Sequence, residues 1–221
     1  MKKYIFVLCL PLLILLLVAG CGNGDATLEK AAPKDKAASD ISPDLTEGAI
    51  QATIMIEDMG PIIVELYPDI APQTVRNFVY LAKQNYYDGL TFHRIMDGFM
   101  IQGGCPDNTG TGGPGYSIRG EFSENGFENN LQHIRGTLSQ ARPGNFDGAG
   151  SQFFITQRDR HDLDGKYAAF GRVIEGMEIV DSITANTPVL DNNGGTKPED
   201  RPVIKWISID SDVDLPEPDK L

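Results

Sequence analysis

The stretch FHRIMDGFMIQGG, Phe92 to Gly104, carries one strong cation, Arg94, and one amide, Gln102, among residues that mostly read as core. Its centre is an Asp97-Gly98 turn signal, so the stretch reads as a β-hairpin whose register decides what Arg94 faces. A two-residue loop pairs Met96 with Phe99 and sets Arg94 opposite Ile101. A three-residue loop, Asp97 to Phe99, pairs Met96 with Met100 and sets Arg94 opposite Gln102. The second register is physically better. The Gln102 carbonyl can accept from the guanidinium and hold it, while Ile95 and Ile101 share the other face as core. Arg94, Met100 and Gln102 then lie on one face with Phe99 at the bend. Such a face is an apolar shelf with a fixed hydrogen-bond donor at its edge.

The elements that must carry this hairpin are mostly strands. Ile50, Ala52, Ile54 and Ile56 alternate with Gln51, Thr53, Met55 and Glu57, and Ile62, Val64 and Leu66 repeat the alternation after a turn at Asp58–Pro61. Pro72 opens a helical stretch with Val75, Phe78, Val79 and Ala82 on one face. TFHRIM, FMIQG, GTLSQA, SQFFIT, AAFGRVI and PVIKWISID read as further strands, and GMEIVDSI as a second short helix. Many strands with two helices indicate a mostly β chain, a closed antiparallel barrel or a sandwich.

The ends are of another kind. Residues 1–20 have a basic start (Lys2, Lys3), an apolar run too short for a comfortable membrane span, and small residues before Cys21, the pattern of a secretory signal peptide. Cys21 directly after those small residues resembles the bacterial lipobox and is the expected lipidation site. Residues 21–48 lack aromatics and read as a lipidated N-terminus with a flexible tether. Residues 49–210 form the folded domain, and 211–221 read as an acidic, disordered tail. These features place the domain outside the cytoplasm, held to a bacterial membrane. With Cys9 lost in the signal and Cys21 lipidated, Cys105 is left alone as a packing residue. A formal charge of −12, more negative still without Lys2 and Lys3, excludes nucleic acid as a partner and leaves membrane attachment to the lipid.

The hairpin, followed in order by GTGG, SQFFIT and LDGKYAAFG, resembles the cyclophilin-type peptidyl-prolyl isomerases from about Ile50 to Ile209. The resemblance implies a closed eight-stranded antiparallel barrel capped by two helices, with a peptide groove on its outer face. It also implies roles for individual residues. Arg94 matches the catalytic arginine, supported by Gln102. Phe99, Met100, Phe154 and Leu163 match the proline pocket. Gln152 matches a polar groove residue, Ala141 a wall residue and Gly110 a loop glycine. Arg142 stands where the family commonly has an asparagine that acts largely through its backbone, a role Arg142 is expected to keep, Asp162 where many members have tryptophan, and Tyr167 where many have histidine. Tyr167 keeps an aromatic body and a polar tip, so Arg142 and Tyr167 are still expected to bind substrate. Cys105 follows the paired glycines where aspartate is frequent.

The implied activity is rotation about X-Pro bonds in unfolded or extended polypeptides, by a monomer without cofactor or metal. The competing class is a non-catalytic holdase using the same groove. Other signals carry less. Gly110–Gly115, GTGGPG, satisfies a dinucleotide-binding string but lies in a polar loop with Pro114 before the last glycine. His93 reads as a packed strand residue, and His133 and His161 as loop surface without metal-ligand spacing. Asp191–Gly195, DNNGG, lacks the spaced ligands of a calcium loop and reads as a turn.

Overall fold

A computed structural model describes residues 48–209 and 212–221. The expected signal peptide, the expected lipidation site Cys21 and residues 22–47 of the expected tether lie outside the described residues. Strands β1 (Ile50–Ile56), β2 (Gly60–Leu66), β3 (Arg94–Met96), β4 (Met100–Gly103), β5 (Thr137–Gln140), β6 (Phe153–Thr156), β7 (Ala169–Glu175) and β8 (Ile204–Ile209) form one sheet. Every pairing is antiparallel, in the order β3-β4-β6-β5-β7-β2-β1-β8. The sheet curls, so that the two strands at its ends approach each other. Thr91 and Val203, just ahead of β3 and β8, form an isolated antiparallel bridge, and the Phe92 N–H donates to the Pro202 carbonyl at 3.0 Å.

The period-two pattern of β1 and β2 turns Ala52, Ile54, Ile56, Ile62, Val64 and Leu66 fully inward. Helix α1 (Pro72–Lys83) lays Val75, Phe78, Val79 and Ala82 on that core, and α2 (Met177–Asn186) adds Met177, Val180 and Ile183. Aromatic rings knit the centre. Phe153 meets Phe78, Tyr87 and Phe92 edge-on at 5.3–6.0 Å. Helix α1 begins with Pro72, and Ala71 at its N-cap supplies no side-chain acceptor. The acceptor comes from Glu121, which is 2% exposed and takes hydrogen bonds from the Gln73 and Thr74 N–H groups at 2.9 and 2.8 Å.

The last residues depart from the sequence reading. The expectation of a disordered tail at 211–221 is corrected for residues 212–221, which lie along α1. Val213 and Leu215 pack on the core, Pro218 is buried, and the Asp219 carbonyl accepts from Gln73 Nε2 at 2.7 Å. Lys83 Nζ donates to the Val213 carbonyl, and Lys220 Nζ sits 4.4 Å from the Tyr80 ring centroid. The segment has too little apolar surface to order itself, but α1 supplies the rest. Its two prolines lower the entropy cost of ordering.

Candidate active site

The β3–β4 hairpin adopts the three-residue loop, pairing Arg94 with Gln102, Ile95 with Ile101 and Met96 with Met100. Pairing continues from Gln102 to Phe154 on β6 and from Phe154 to Ser139 on β5. Directly opposed residues share a face, so Arg94, Gln102 and Phe154 stand in a row on the outer surface while Ile95, Ile101 and Phe153 fill the interior. This alternation explains how a sequence as apolar as SQFFIT serves core and groove at once.

A cavity of about 110 Å³ opens over that row, lined by Arg94, Phe99, Met100, Gln102, Ala141, Arg142, Phe154, Leu163 and Tyr167. Its floor is apolar: Met100 is 1% exposed and Phe154 5%. Beyond it lies a second cavity of about 510 Å³, lined by Gly110–Gly113, Gly115, Tyr116, Ala141–Pro143 and Gly148–Gln152 apart from Ala149. Each residue expected at the groove borders one or both cavities. The GTGGPG string is therefore cavity-wall loop. Asp162 borders neither. Its carboxylate accepts from Arg160 Nε and Nη2, both at 2.8 Å, and the Arg160 guanidinium stacks 3.7 Å above the Phe99 ring.

Arg94 is held from three sides. Its Nε donates to the Asn193 carbonyl at 2.8 Å, Nη1 to Gln102 Oε1 at 3.1 Å, and Nη2 points at Met96 Sδ at 3.2 Å. Burial lowers its pKa from the ordinary arginine value, yet the guanidinium stays charged. A guanidinium has five N–H bonds, so two on the terminal nitrogens are left for a guest. Gln102 is fixed in turn: its Nε2 donates to Gln152 Oε1 at 3.0 Å, and Gln152 Nε2 donates to the Gly110 and Gly112 carbonyls at 3.0 and 2.9 Å. All these amides point the same way, so each bond polarises the next.

Sequence reasoning missed Asn193. The DNNGG segment is a turn as expected, closed by the Asn193 and Gly195 N–H groups on Asp191 Oδ1, but its carbonyls serve the groove. Gly194, at φ 80°, accepts from the Ile95 N–H at 2.8 Å, which presses the turn against β3. Its glycines and Asp191 were the available signal; a backbone acceptor 99 residues from Arg94 leaves no other trace.

His133 was also misplaced. It is 0% exposed, with Nδ1 at 2.9 Å from Asp164 Oδ1 and Nε2 at 2.9 Å from Ser139 Oγ, its ring stacked behind Phe154 at 6.1 Å. The row of Asp164 and Ser139 gives it partners that a loop-surface reading could not anticipate. His93 is buried too, beneath Gly110. Desolvation, aided by Arg201, lowers its pKa from 6.5 to about 4, and desolvation also lowers that of His133.

These shifts give a pH prediction with a definite sign. The unfolded chain protonates its histidines near 6.5, while folded His93 resists until about pH 4. Stability is therefore complete above about 6.5 and declines as pH falls between those values. The decline from His93 should be on the order of 1–2 kcal/mol by pH 5. Urea unfolding at pH 7 and pH 5 checks it, with His93→Gln expected to flatten the dependence. An equal decline in that variant would contradict the assignment.

Residues 52–209 match the family described as cyclophilin type peptidyl-prolyl cis-trans isomerase/CLD. Peptidyl-prolyl cis-trans isomerase B of Bacillus subtilis is 47% identical over 130 residues, 59% of this chain and 87% of that protein. A peptidyl-prolyl cis-trans isomerase of Helicobacter pylori is 47% identical over 126 residues, 56% and 74% of the two chains. The crystal structure of a Cryptosporidium parvum cyclophilin type peptidyl-prolyl cis-trans isomerase, in the presence of the dipeptide Ala-Pro, superposes with a TM-score of 0.64. It is 33% identical, and the match covers 73% of this chain and 99% of that one.

Proposed function

The chain belongs to the cyclophilin-type peptidyl-prolyl cis–trans isomerases, and we propose that Arg94 is the residue that lowers its rotation barrier. The activity is isomerisation of X-Pro peptide bonds. Rotation about such a bond meets a barrier of about 18–20 kcal/mol because it destroys amide resonance. No bond to the enzyme is needed. As the bond twists, the prolyl nitrogen regains a lone pair, and a donor aimed at it binds the twisted state better than either planar one.

What supports Arg94 in this role is its three-sided restraint at the rim of the small cavity with the apolar floor, with two N–H bonds unspent. Phe99, Met100, Phe154 and Leu163 hold the proline ring. Gln102 orients the arginine, and Gln152, Ala141, Gly110, Arg142 and Tyr167 receive the flanking peptide. The substrates are proline-containing unfolded or extended polypeptides, bound by a monomer without metal or cofactor. The sheet is read as a closed barrel, for which the Thr91–Val203 bridge and the Ile204 N–H donation to the Leu90 carbonyl at 2.7 Å argue. Titration of the folded domain with a short Ala-Pro peptide tests the site: shifts centred on Phe99, Met100 and Phe154 are expected, and shifts confined elsewhere would refute it.

The working place is outside the cytoplasm. Residues 1–20 serve as a lipoprotein signal, Cys21 carries the lipid, and the tether up to residue 48 links it to the domain that follows. Cys21→Ser should leave an unprocessed, heavier precursor by mass spectrometry. A membrane-bound mature protein beginning at residue 21 despite that change would rule lipidation out.

A further inference from the structure

Arg142 sits inside a cage of aromatic rings. Its Cζ lies 4.7 Å from the Phe122 centroid and 4.8 Å from those of Phe146 and Tyr167. Its edges are occupied as well: Nε and Nη2 donate to the Lys166 carbonyl at 3.1 and 2.8 Å, and Nη1 to the Pro143 carbonyl at 3.0 Å. Lys166 immediately precedes Tyr167, whose ring meets Phe154 edge-on at 5.8 Å. One side chain thus grips the Tyr167 segment through a ring face and through the backbone beside it. Arg142 also borders both cavities, and with Gln102 and Ala141 it forms the wall between them.

We propose that the Arg142 side chain is a positioning residue that sets the width of the proline pocket by pinning Tyr167 against Phe154, a role that rests on the groove being the isomerase site. A guanidinium can stack on rings through its face while donating in its plane. An ammonium is a point charge; it can face one ring but cannot offer three rings a plane or make the paired donation to Lys166. Without the cage, Tyr167 loses the group stacked on its ring and bonded to the backbone beside it, and the small cavity opens toward the large one. The proline ring is then gripped less well, while the donor at Arg94 is untouched. The defect belongs in KM.

The test is steady-state isomerisation of an Ala-Pro peptide by the full chain carrying Arg142→Ala, Arg142→Lys, Tyr167→Leu, or Arg142→Ala with Tyr167→Leu. Arg142→Ala should raise KM about tenfold with kcat falling by less than about threefold, and Arg142→Lys should recover little. Because Arg142 acts through Tyr167, the double variant should be no worse than Tyr167→Leu alone. A KM within about twofold of the unmodified protein, or effects that multiply in the double variant, would overturn the proposal. If Arg142→Ala does not fold, Arg142→Lys carries the same comparison. If the unmodified protein turns nothing over, the isomerase reading fails on its own, and the same peptide's Kd, by titration across these variants, still decides the role of Arg142.

Discussion

Arg94→Ala lowers kcat/KM for X-Pro isomerisation by about 100- to 1000-fold, the range expected when one preorganised donor is taken from a transition state. The fold should survive. Arg94 stands on the outer face of β3, and the interior of the hairpin is Ile95 and Ile101, both fully buried. Gln102 keeps its bond to Gln152, so the amide chain behind the arginine stays anchored. Arg94→Lys should regain little, because an ammonium on a flexible stem cannot reach the Asn193 carbonyl, Gln102 and the substrate together. Peptide affinity should change far less than turnover, since the apolar floor is intact. Coupled measurement of kcat/KM and thermal stability decides it: a folded alanine variant with near-normal turnover would remove Arg94 from the mechanism.

The largest expected loss of stability lies elsewhere, at Glu121. Its carboxylate, 2% exposed, closes the open end of α1 by accepting from the Gln73 and Thr74 N–H groups and from Thr74 Oγ1 at 2.7 Å. Burial pushes its pKa up, against the pull of these donors. Glu121→Ala strands two buried N–H groups and removes a negative charge from the positive end of the helix. The cost should be on the order of 4 kcal/mol, which for a domain of this size lowers Tm by about 10 °C. Glu121→Gln, which retains one acceptor oxygen, should fall between. Melting curves check the order; an alanine variant as stable as the unmodified protein would show that water caps the helix instead.

What the sequence made legible was local. The alternation of β1 and β2, the 3.6-residue stripe of α1 and the pairing of Arg94 with Gln102 follow from side-chain periods and turn chemistry within one or two elements. Those same residues placed the apolar shelf. Partners that arrive from far along the chain left no such pattern. Asn193 supports Arg94 through a carbonyl that any residue type carries. Glu121 caps a helix 47 residues away, and nothing in GEFSEN distinguishes it from a solvated acid. His133 is buried because Asp164 and Ser139 meet it in the fold. Composition misjudged the tail, because it counts the apolar surface a segment owns and not the surface it finds. Arg160 shows the same limit: it lies over Phe99 and pairs with Asp162 through two hydrogen bonds, so neither residue's role follows from its own type.

The central claim, that this groove speeds prolyl rotation and does not merely hold extended chains, is tested most directly by exchange spectroscopy on an Ala-Pro peptide with a catalytic amount of the domain. The cis and trans signals should interconvert faster in proportion to the protein added, with their ratio unchanged. Arg94→Ala at the same concentration should still bind the peptide and leave the exchange near its uncatalysed rate. Binding of the peptide by the unmodified protein with no acceleration of exchange would contradict the account and mark the groove as a holdase.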